Sequence, residues 1–163
     1  MDRKALRFLL AVLFVTCLSP AENAAAKSIV QWHFKLAPVK AVKPGTKLDV
    51  VVSGKIDPGW HLYALEEPEG GPIATVVGLA EGDPADLLGV DQGAPKIVLD
   101  RIFQQETPLF EGTADFTLHI QLAKSLEPGE HLLHVLIRYQ SCDDHICLSP
   151  HTDTIPLSLQ VTR

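Results

Sequence analysis

The chain has 163 residues, of which 46% are hydrophobic and 21% are charged, and its formal net charge at pH 7 is −6. A chain of this length and composition can bury a core of its own as one domain. An acidic surface repels phosphate backbones and anionic lipids, so the composition argues against binding to nucleic acid or to a membrane surface.

The first 26 residues have the features of a secretory signal peptide. Three basic residues precede an apolar run at residues 8–18, and Ala24-Ala25-Ala26 supplies an A-x-A-like cleavage site. The run has about eleven residues, well short of the roughly twenty that span a bilayer. Cys17 follows Thr16, where a lipoprotein signal requires a smaller residue, so we do not expect lipidation. The sequence predicts an exported, soluble protein with one mature domain at residues 27–163.

The hydrophobic pattern of the mature domain has the period of strands. The clearest case is residues 113–122, where five apolar side chains alternate with five polar ones. Residues 131–140 are apolar on both faces, which is typical of a central strand, and Pro156 suits the last strand to an edge. The other predicted strands are residues 29–36, 48–53, 60–63, 74–79 and 96–99. Residues 81–93 are interpreted as a polar turn region with room for one brief helical turn.

About eight short strands separated by turns, with no long segment of helical period, predict the fold class. It is all-β: an antiparallel immunoglobulin-like β-sandwich. A closed barrel is the alternative, which short strands of unequal length disfavour. The segment at residues 66–72, rich in proline and glycine, is interpreted as a loop inside the domain because it cannot continue a sheet ladder.

Two cysteines, Cys142 and Cys147, remain in the mature domain, and an oxidising compartment allows them to pair. As a staple the pair is poorly placed, since a ring of about six residues contributes only about 2 kcal/mol on the loop-entropy model. A reversible disulfide needs one sulfur that a thiolate can reach and a second as leaving group. Asp143 disfavours a thiolate, whereas protonated His145 favours it. These residues leave a redox disulfide and a structural disulfide both open.

A metal site is the third interpretation of the same loop. Two sulfurs and two imidazoles lie within ten residues, a set that zinc or copper accepts. They belong to Cys142, His145, Cys147 and His151. Their spacing matches no common zinc pattern, and we expect neither a metal nor another cofactor.

Two motifs in this chain resemble the periplasmic N-terminal domain of the thiol:disulfide interchange protein DsbD. They are Tyr139-Gln140-x-Cys142-Asp143-x-x-x-Cys147-x-x-Pro150 and Gly59-Trp60-His61-Leu62-Tyr63. The likeness covers most of residues 28–161 in the same order. The resemblance implies an immunoglobulin-like periplasmic domain whose cysteines take electrons from a thioredoxin-like domain and pass them to oxidised periplasmic proteins.

Carried over by position, the resemblance implies that Cys142 and Cys147 are the redox pair and that Cys147 is attacked in the mixed disulfide. Trp60 and Tyr63 fall where the family has aromatic residues beside the cysteines, with ordinary strand-end packing as the alternative. The remaining expected neighbours of the pair are Tyr139, Asp143 and His145.

The family also covers its cysteines with a cap loop that carries a phenylalanine preceded by acidic residues. Phe103 fits the capping position, with an ordinary core position as the alternative. Arg101 and Ile102 stand where the family has acids, and Asp100 is the carboxylate nearby.

The family's full-length protein continues into a membrane electron carrier and a thioredoxin-like domain, which this sequence does not contain. We therefore expect the donor, a thioredoxin-like protein or a membrane electron carrier, to be supplied in trans. The predicted function is a stand-alone periplasmic thiol:disulfide oxidoreductase that acts by dithiol–disulfide exchange. The alternative is a binding or adaptor module of the same fold with a structural disulfide.

Overall fold

The computed structural model describes residues 28–36 and 41–163, and these form eleven β-strands joined by turns and loops. The strands are β1 (Val30–Leu36), β2 (Lys47–Ile56), β3 (His61–Tyr63), β4 (Val76–Leu79), β5 (Ala85–Gln92), β6 (Lys96–Asp100), β7 (Gln105–Glu111), β8 (Thr113–Leu122), β9 (Gly129–Tyr139), β10 (Ser141–Cys142) and β11 (His151–Val161). The predicted signal peptide and Cys17 lie outside the described residues. Over the described ranges, the chain forms no helix that is long and apolar enough to cross a membrane.

The strands form three antiparallel sheets, with the orders β1-β2-β8-β5, β10-β3-β7-β6 and β11-β9-β4. The first and third sheets bury their apolar faces in one main core. Its largest fully buried side chains include Phe116, Leu118, Ile120, Leu133, Ile137 and Leu159. The predicted class, an all-β antiparallel immunoglobulin-like sandwich, is confirmed.

The alternating pattern of β8 determines how this strand sits in the first sheet. Its five apolar side chains, from Ala114 to Leu122, are all at most 1% exposed, while the residues between them reach the surface. The neighbouring β2 pairs with β8 in continuous register from Lys47 opposite Gln121 to Lys55 opposite Thr113. A slip of one residue would turn the whole apolar set towards water, so the burial pattern specifies the register.

A hydrogen-bonded aromatic pair joins the first and third sheets. The indole Nε1 of Trp32 on β1 donates to Asp153 Oδ2 on β11 at 2.9 Å, and the Tyr139 hydroxyl donates to the same oxygen at 2.7 Å. The two rings meet edge to face with centroids 5.6 Å apart. Gly54 lies opposite Trp32 in the ladder, and a Cβ there would lie 2.5 Å from the indole ring.

The strand predictions for residues 113–122 and for the last strand are confirmed, and Pro156 lies on an edge strand, β11. The prediction of a polar turn with a helical turn at residues 81–93 is wrong, because Ala85–Gln92 is a strand paired with β8. A register shift between Leu87 and Gly89 interrupts its alternation, which hid the strand period in the sequence.

The sequence pattern also missed β7, which lies between β3 and β6 in the second sheet. Pro108 sits in the middle of this strand, and a proline in a sequence normally argues against an interior strand because it lacks a donor. Its carbonyl still accepts a hydrogen bond from the Ala64 N–H at 3.0 Å. The strand count is therefore eleven in the described residues, against about eight predicted.

Candidate redox site

The two cysteines lie at the end of the second sheet, where a two-residue strand brings one of them onto the ladder. Cys142 on β10 pairs directly with His61 on β3, and His61 pairs with Glu111 on β7. Paired residues of antiparallel strands project to the same face, so these three side chains share one face of the sheet. Cys142 and Cys147 are joined by a disulfide.

The residues between the cysteines, 143–146, form the disulfide loop, and one carboxylate organises it. Asp143 Oδ1 accepts hydrogen bonds from the backbone N–H groups of His145 and Ile146, each at 2.7 Å. The hydrogen bonds from Ile146 and then His145 hold the pKa of Asp143 below its ordinary value. The carboxylate is thus ionised and engaged with the loop backbone at neutral pH.

The two sulfur-bearing residues differ in accessibility. Cys142 is completely buried, in a small apolar cluster with Tyr63 and Leu109. Cys147 is half-buried and packs against that cluster from outside. The residue open to an approaching thiol is therefore Cys147, and opening of the disulfide from that side would release the sulfur of Cys142 in the interior.

A short turn between β6 and β7, residues 101–104, covers this cluster, and we call it the cap turn. The ring of Phe103 meets the Tyr63 ring edge to face with centroids 6.0 Å apart, and Phe103 packs against the cluster that holds Cys142. Asp100 Oδ1 accepts the backbone N–H groups of Ile102 at 2.7 Å and Phe103 at 3.0 Å. The carboxylate therefore fixes the backbone on which Phe103 stands.

The cap turn also touches the disulfide loop through an exposed ion pair. Arg101 Nη1 lies 3.5 Å from Asp144 Oδ2. The resemblance predicts an acid at position 101, and this chain instead uses the arginine to pair with an acid of the disulfide loop. A pair this exposed contributes about 0–1 kcal/mol.

Behind the cap turn, three polar side chains form a hydrogen-bonded chain. The hydroxyl of buried Tyr63 donates to Asp100 Oδ2 at 2.8 Å, and His61 Nε2 lies 3.2 Å from the same hydroxyl. Burial raises the pKa of Tyr63. Desolvation also raises the pKa of Asp100, but hydrogen bonds from the Phe103 N–H, the Tyr63 hydroxyl and the Ile102 N–H outweigh it and leave that pKa below its ordinary value. At neutral pH the chain holds a protonated phenol and a buried carboxylate.

Two of these polar residues, Asp100 and His61, carry only weak signals in the sequence. Asp100 stands one position before the places where the resemblance puts acids, so the resemblance assigns it no role. His61 lies between Trp60 and Tyr63 in the motif that carries the resemblance, but the resemblance assigns roles only to those two aromatic residues. Its signal was position, since residues 61 and 63 of one strand point to the same face.

A half-buried carboxylate, Glu67, lies in the proline-rich loop after β3. Its Oε1 accepts the Ala64 N–H at 2.8 Å. Burial raises the pKa of Glu67 to about 7, partly offset by that hydrogen bond. Nothing in the sequence separates Glu67 from its neighbours Glu66 and Glu69, so only the folded loop identifies it.

Two clefts border the disulfide loop. The larger, about 550 Å³, is lined by Trp60, His61 and His145 among others. The smaller, about 170 Å³, lies towards the cap turn and includes Arg101 and Ile102. Four residues line both clefts, namely His61, Glu111, Asp143 and Asp144. Of the predicted neighbours, Trp60, Tyr63, Phe103, Asp143 and His145 are thus brought to the disulfide or its clefts.

Tyr139 is not among the residues gathered at the disulfide. It belongs to the main core, its hydroxyl binds Asp153, and its ring packs against Trp32 and His151. Its place in the motif next to the cysteines reflects chain order, while its side chain joins the first and third sheets.

The geometry does not assemble the ligand set of the metal interpretation. The two sulfurs are bonded to each other, and the His151 ring packs against Tyr139. No group of three or more histidine, cysteine, aspartate or glutamate side chains within residues 28–36 and 41–163 could hold a metal ion.

The fold and the site define a class of protein, a β-sandwich domain with a partly accessible disulfide under a cap at one sheet end. The chain belongs to the family of the N-terminal domain of the thiol:disulfide interchange protein DsbD, whose family model matches residues 32–159. The resemblance seen in the two motifs is thereby confirmed. Membership together with the bonded cysteine pair supports a thiol:disulfide interchange module.

Two solved structures illustrate the likeness. The reduced N-terminal domain of DsbD from Neisseria meningitidis is 16% identical with a TM-score of 0.48, over 74% of this chain and 81% of that chain. The N-terminal periplasmic domain of ScsB from Proteus mirabilis is 14% identical with a TM-score of 0.48, over 78% of this chain and 49% of that chain. No curated protein matches this sequence closely enough to count as a relative.

Proposed function

We propose that this protein is a periplasmic thiol:disulfide interchange module that carries electrons through Cys142 and Cys147. It takes them from a thioredoxin-like donor and passes them to oxidised exported proteins. The observation that carries the proposal is the half-buried position of Cys147 in a disulfide ring too small to be an efficient staple.

The exchange proceeds in two steps. A donor thiolate attacks Sγ of Cys147, a donor–Cys147 disulfide forms, and the Cys142–Cys147 bond breaks with its electron pair on Sγ of Cys142. The donor's second thiol then displaces Cys147, so two electrons and two protons have entered the pair. Reduced Cys147 attacks an oxidised partner by the same steps in reverse.

The cap turn supports this proposal, because a cover over the disulfide is expected where the disulfide is reactive. Phe103 shields the cluster around Cys142, and the backbone of the cap turn is held by hydrogen bonds to a single carboxylate, Asp100. Such a turn would restrict the approach of small thiols while closed, and it is small enough for a docking partner to displace. A productive partner is then one that binds the surface around the disulfide as well as reaching its sulfur.

A static disulfide in a binding module is the second candidate, and the complete burial of Cys142 favours it. A measurement of the reduction potential and exchange rate separates the two. The protein is equilibrated with glutathione or a thioredoxin, and the free thiols are counted by mass after alkylation. A potential above roughly −300 mV with fast exchange supports the interchange module, while a lower potential without exchange identifies a structural bond.

A further inference from the structure

The position of His61 suggests a role that neither the motif nor the disulfide itself assigns. It lies directly opposite Cys142 in the β3–β10 pair, and such neighbours have Cβ atoms about 4.5–5.5 Å apart. Its side chain is only 12% exposed, although it lines both clefts beside the disulfide loop. An imidazole thus stands beside the buried sulfur with limited access to water.

The hydrogen-bonded chain behind the cap turn determines which ring nitrogen of His61 carries the proton. Tyr63 has one hydroxyl proton, and it is donated to Asp100 Oδ2. The Tyr63 oxygen therefore accepts from Nε2–H of His61, which leaves Nδ1 of the neutral ring as a proton acceptor. Asp100 Oδ2 lies 4.0 Å from Nε2 and can stabilise the imidazolium once Nδ1 is protonated.

The charges around His61 suit a base that is unprotonated in the resting protein. Burial lowers its pKa, and this effect outweighs the facing carboxylates, so the ring is neutral at pH 7. Those carboxylates come from three elements and all favour the charged ring when it forms: Asp100 at the end of β6, Glu111 on β7, and Asp144 and Asp143 in the disulfide loop. Tyr63, on the same strand, stays protonated.

The buried sulfur needs such a base. Burial in an apolar cluster disfavours the thiolate of Cys142, yet the thiolate is the nucleophile that closes the disulfide. Asp143 is engaged with the loop backbone, and His145 is exposed. Asp100 already accepts hydrogen bonds from Tyr63 and from two backbone N–H groups, and Glu111 is paired with Lys96. Of the groups described at the site, the neutral imidazole directly opposite Cys142 is therefore the best placed to accept this proton.

Resting on the function proposed above, we propose that His61 accepts the thiol proton of Cys142 when Cys142 attacks the mixed disulfide at Cys147, and returns it when the disulfide opens. In the closing direction the Cys142–Cys147 bond forms, and the bond between Cys147 and the partner sulfur breaks. The partner leaves as a thiolate with that electron pair, and the proton moves to Nδ1 of His61. Asp100 and Tyr63 act as positioning residues.

The test follows ring closure by itself. Reduced protein is mixed with one equivalent of an aromatic disulfide that releases a coloured thiolate. The first release reports attack by Cys147, and the second reports closure by Cys142. In His61→Gln, which keeps a donor for Tyr63 but does not titrate, we expect the second release to slow by about 10²-fold at pH 7. Its rate should keep rising through the thiol range above pH 8, while the wild-type rate levels off at lower pH.

The matched control is His33→Gln, which removes an exposed imidazole from β1, outside both clefts, and should leave both releases unchanged. A His61→Gln protein with the wild-type second rate and pH profile would overturn the inference and leave the interchange function standing. Wild-type protein that releases only one equivalent would overturn the interchange function, and the inference with it. If His61→Gln does not fold, the wild-type profile decides: its inflection must coincide with the His61 titration measured by NMR, and a profile without that inflection refutes the role.

Discussion

At the scale of single residues, we expect Phe103 to control how readily small molecules reach the disulfide. Its ring packs on Tyr63 and on the cluster that includes Cys142. It stands one residue beyond the exposed Ile102, so the cap turn presents one apolar side chain inwards and one outwards.

Replacing Phe103 with alanine should accelerate the reaction of Cys147 with small thiol reagents, because the cluster loses its cover. The measurement is the alkylation rate of the reduced protein, followed by mass. The control is Ile97→Ala on neighbouring β6, which removes a side chain that is 70% exposed and should leave the rate unchanged. An unchanged rate in the Phe103 variant would assign that ring to ordinary packing.

Glu67 should make the stability of the protein depend on pH. Its folded pKa, about 7, lies above its ordinary value of 4.5, so the folded state holds the proton more tightly than the unfolded state. The resulting stabilisation is fully present below pH 4.5 and is lost as the pH rises through 7. Glu67→Gln, which stays neutral, should therefore be more stable than wild type at pH 8.

The measurement is urea unfolding of wild type and Glu67→Gln between pH 4.5 and 8. The free energy of unfolding of the wild type should decline more over this window than that of the variant. Glu66→Gln is the matched control, since it removes an exposed carboxylate from the same loop. Parallel curves for wild type and Glu67→Gln would contradict the assignment.

At the scale of elements, the site depends on where the short second sheet ends. β3 and β10 have three and two residues, and together with β7 they carry His61, Cys142 and Glu111 to one face. Strands so short have few ladder hydrogen bonds of their own, so their placement relies on Leu62 and Phe110, which are buried in the main core.

The contact between β1 and β2 offers a test of how tightly the first sheet is packed. Gly54→Ala should destabilise the protein by about 1–3 kcal/mol, because its Cβ would overlap the Trp32 ring that links the first and third sheets. Gly78→Ala on β4 is the control, since a Cβ there meets nothing within 4 Å. Chemical denaturation measures both, and equal stabilities would show that Trp32 moves aside freely.

At the scale of the whole molecule, we expect the packed sheets to supply most of the stability and the disulfide little of it. The main core draws mostly on the first and third sheets, with Leu62 and Phe110 from the second, while the cysteines close only their own loop. We therefore expect this domain to stay folded when the disulfide is reduced, as the proposed electron-carrying role requires.

Reduction of the disulfide should accordingly cost only about 2 kcal/mol of unfolding free energy, the value for a ring of about six residues on the loop-entropy model. Urea unfolding of the oxidised and the reduced protein measures the difference. Protein in which both cysteines are replaced by serine is the control for reagent effects. A loss above about 4 kcal/mol would mean that the bond supports structure beyond its loop and would favour the static-disulfide alternative.

The sequence could predict the elements whose signals are local. The period of two along residues 113–122 predicted β8 to the residue, because one buried face demands alternation whatever its partner. It failed at β5 and β7, where a register shift and Pro108 break the pattern and only pairing with β8, β3 and β6 makes a strand. The motif at residues 139–150 likewise identified the family without any knowledge of the fold.

The sequence by itself determined the all-β class, the family and the two cysteines, because periodicity and motif spacing are properties of neighbouring residues. The tertiary structure alone decided how the site is built. Tyr63 donates a hydrogen bond to Asp100, which is 37 positions away in the sequence. His61 lies opposite Cys142 only because β3 pairs with β10. The tertiary structure also placed Tyr139 in the main core and half-buried Glu67. Burial and long-range hydrogen bonds determine these features of the site, and both arise only when the sheets pack together.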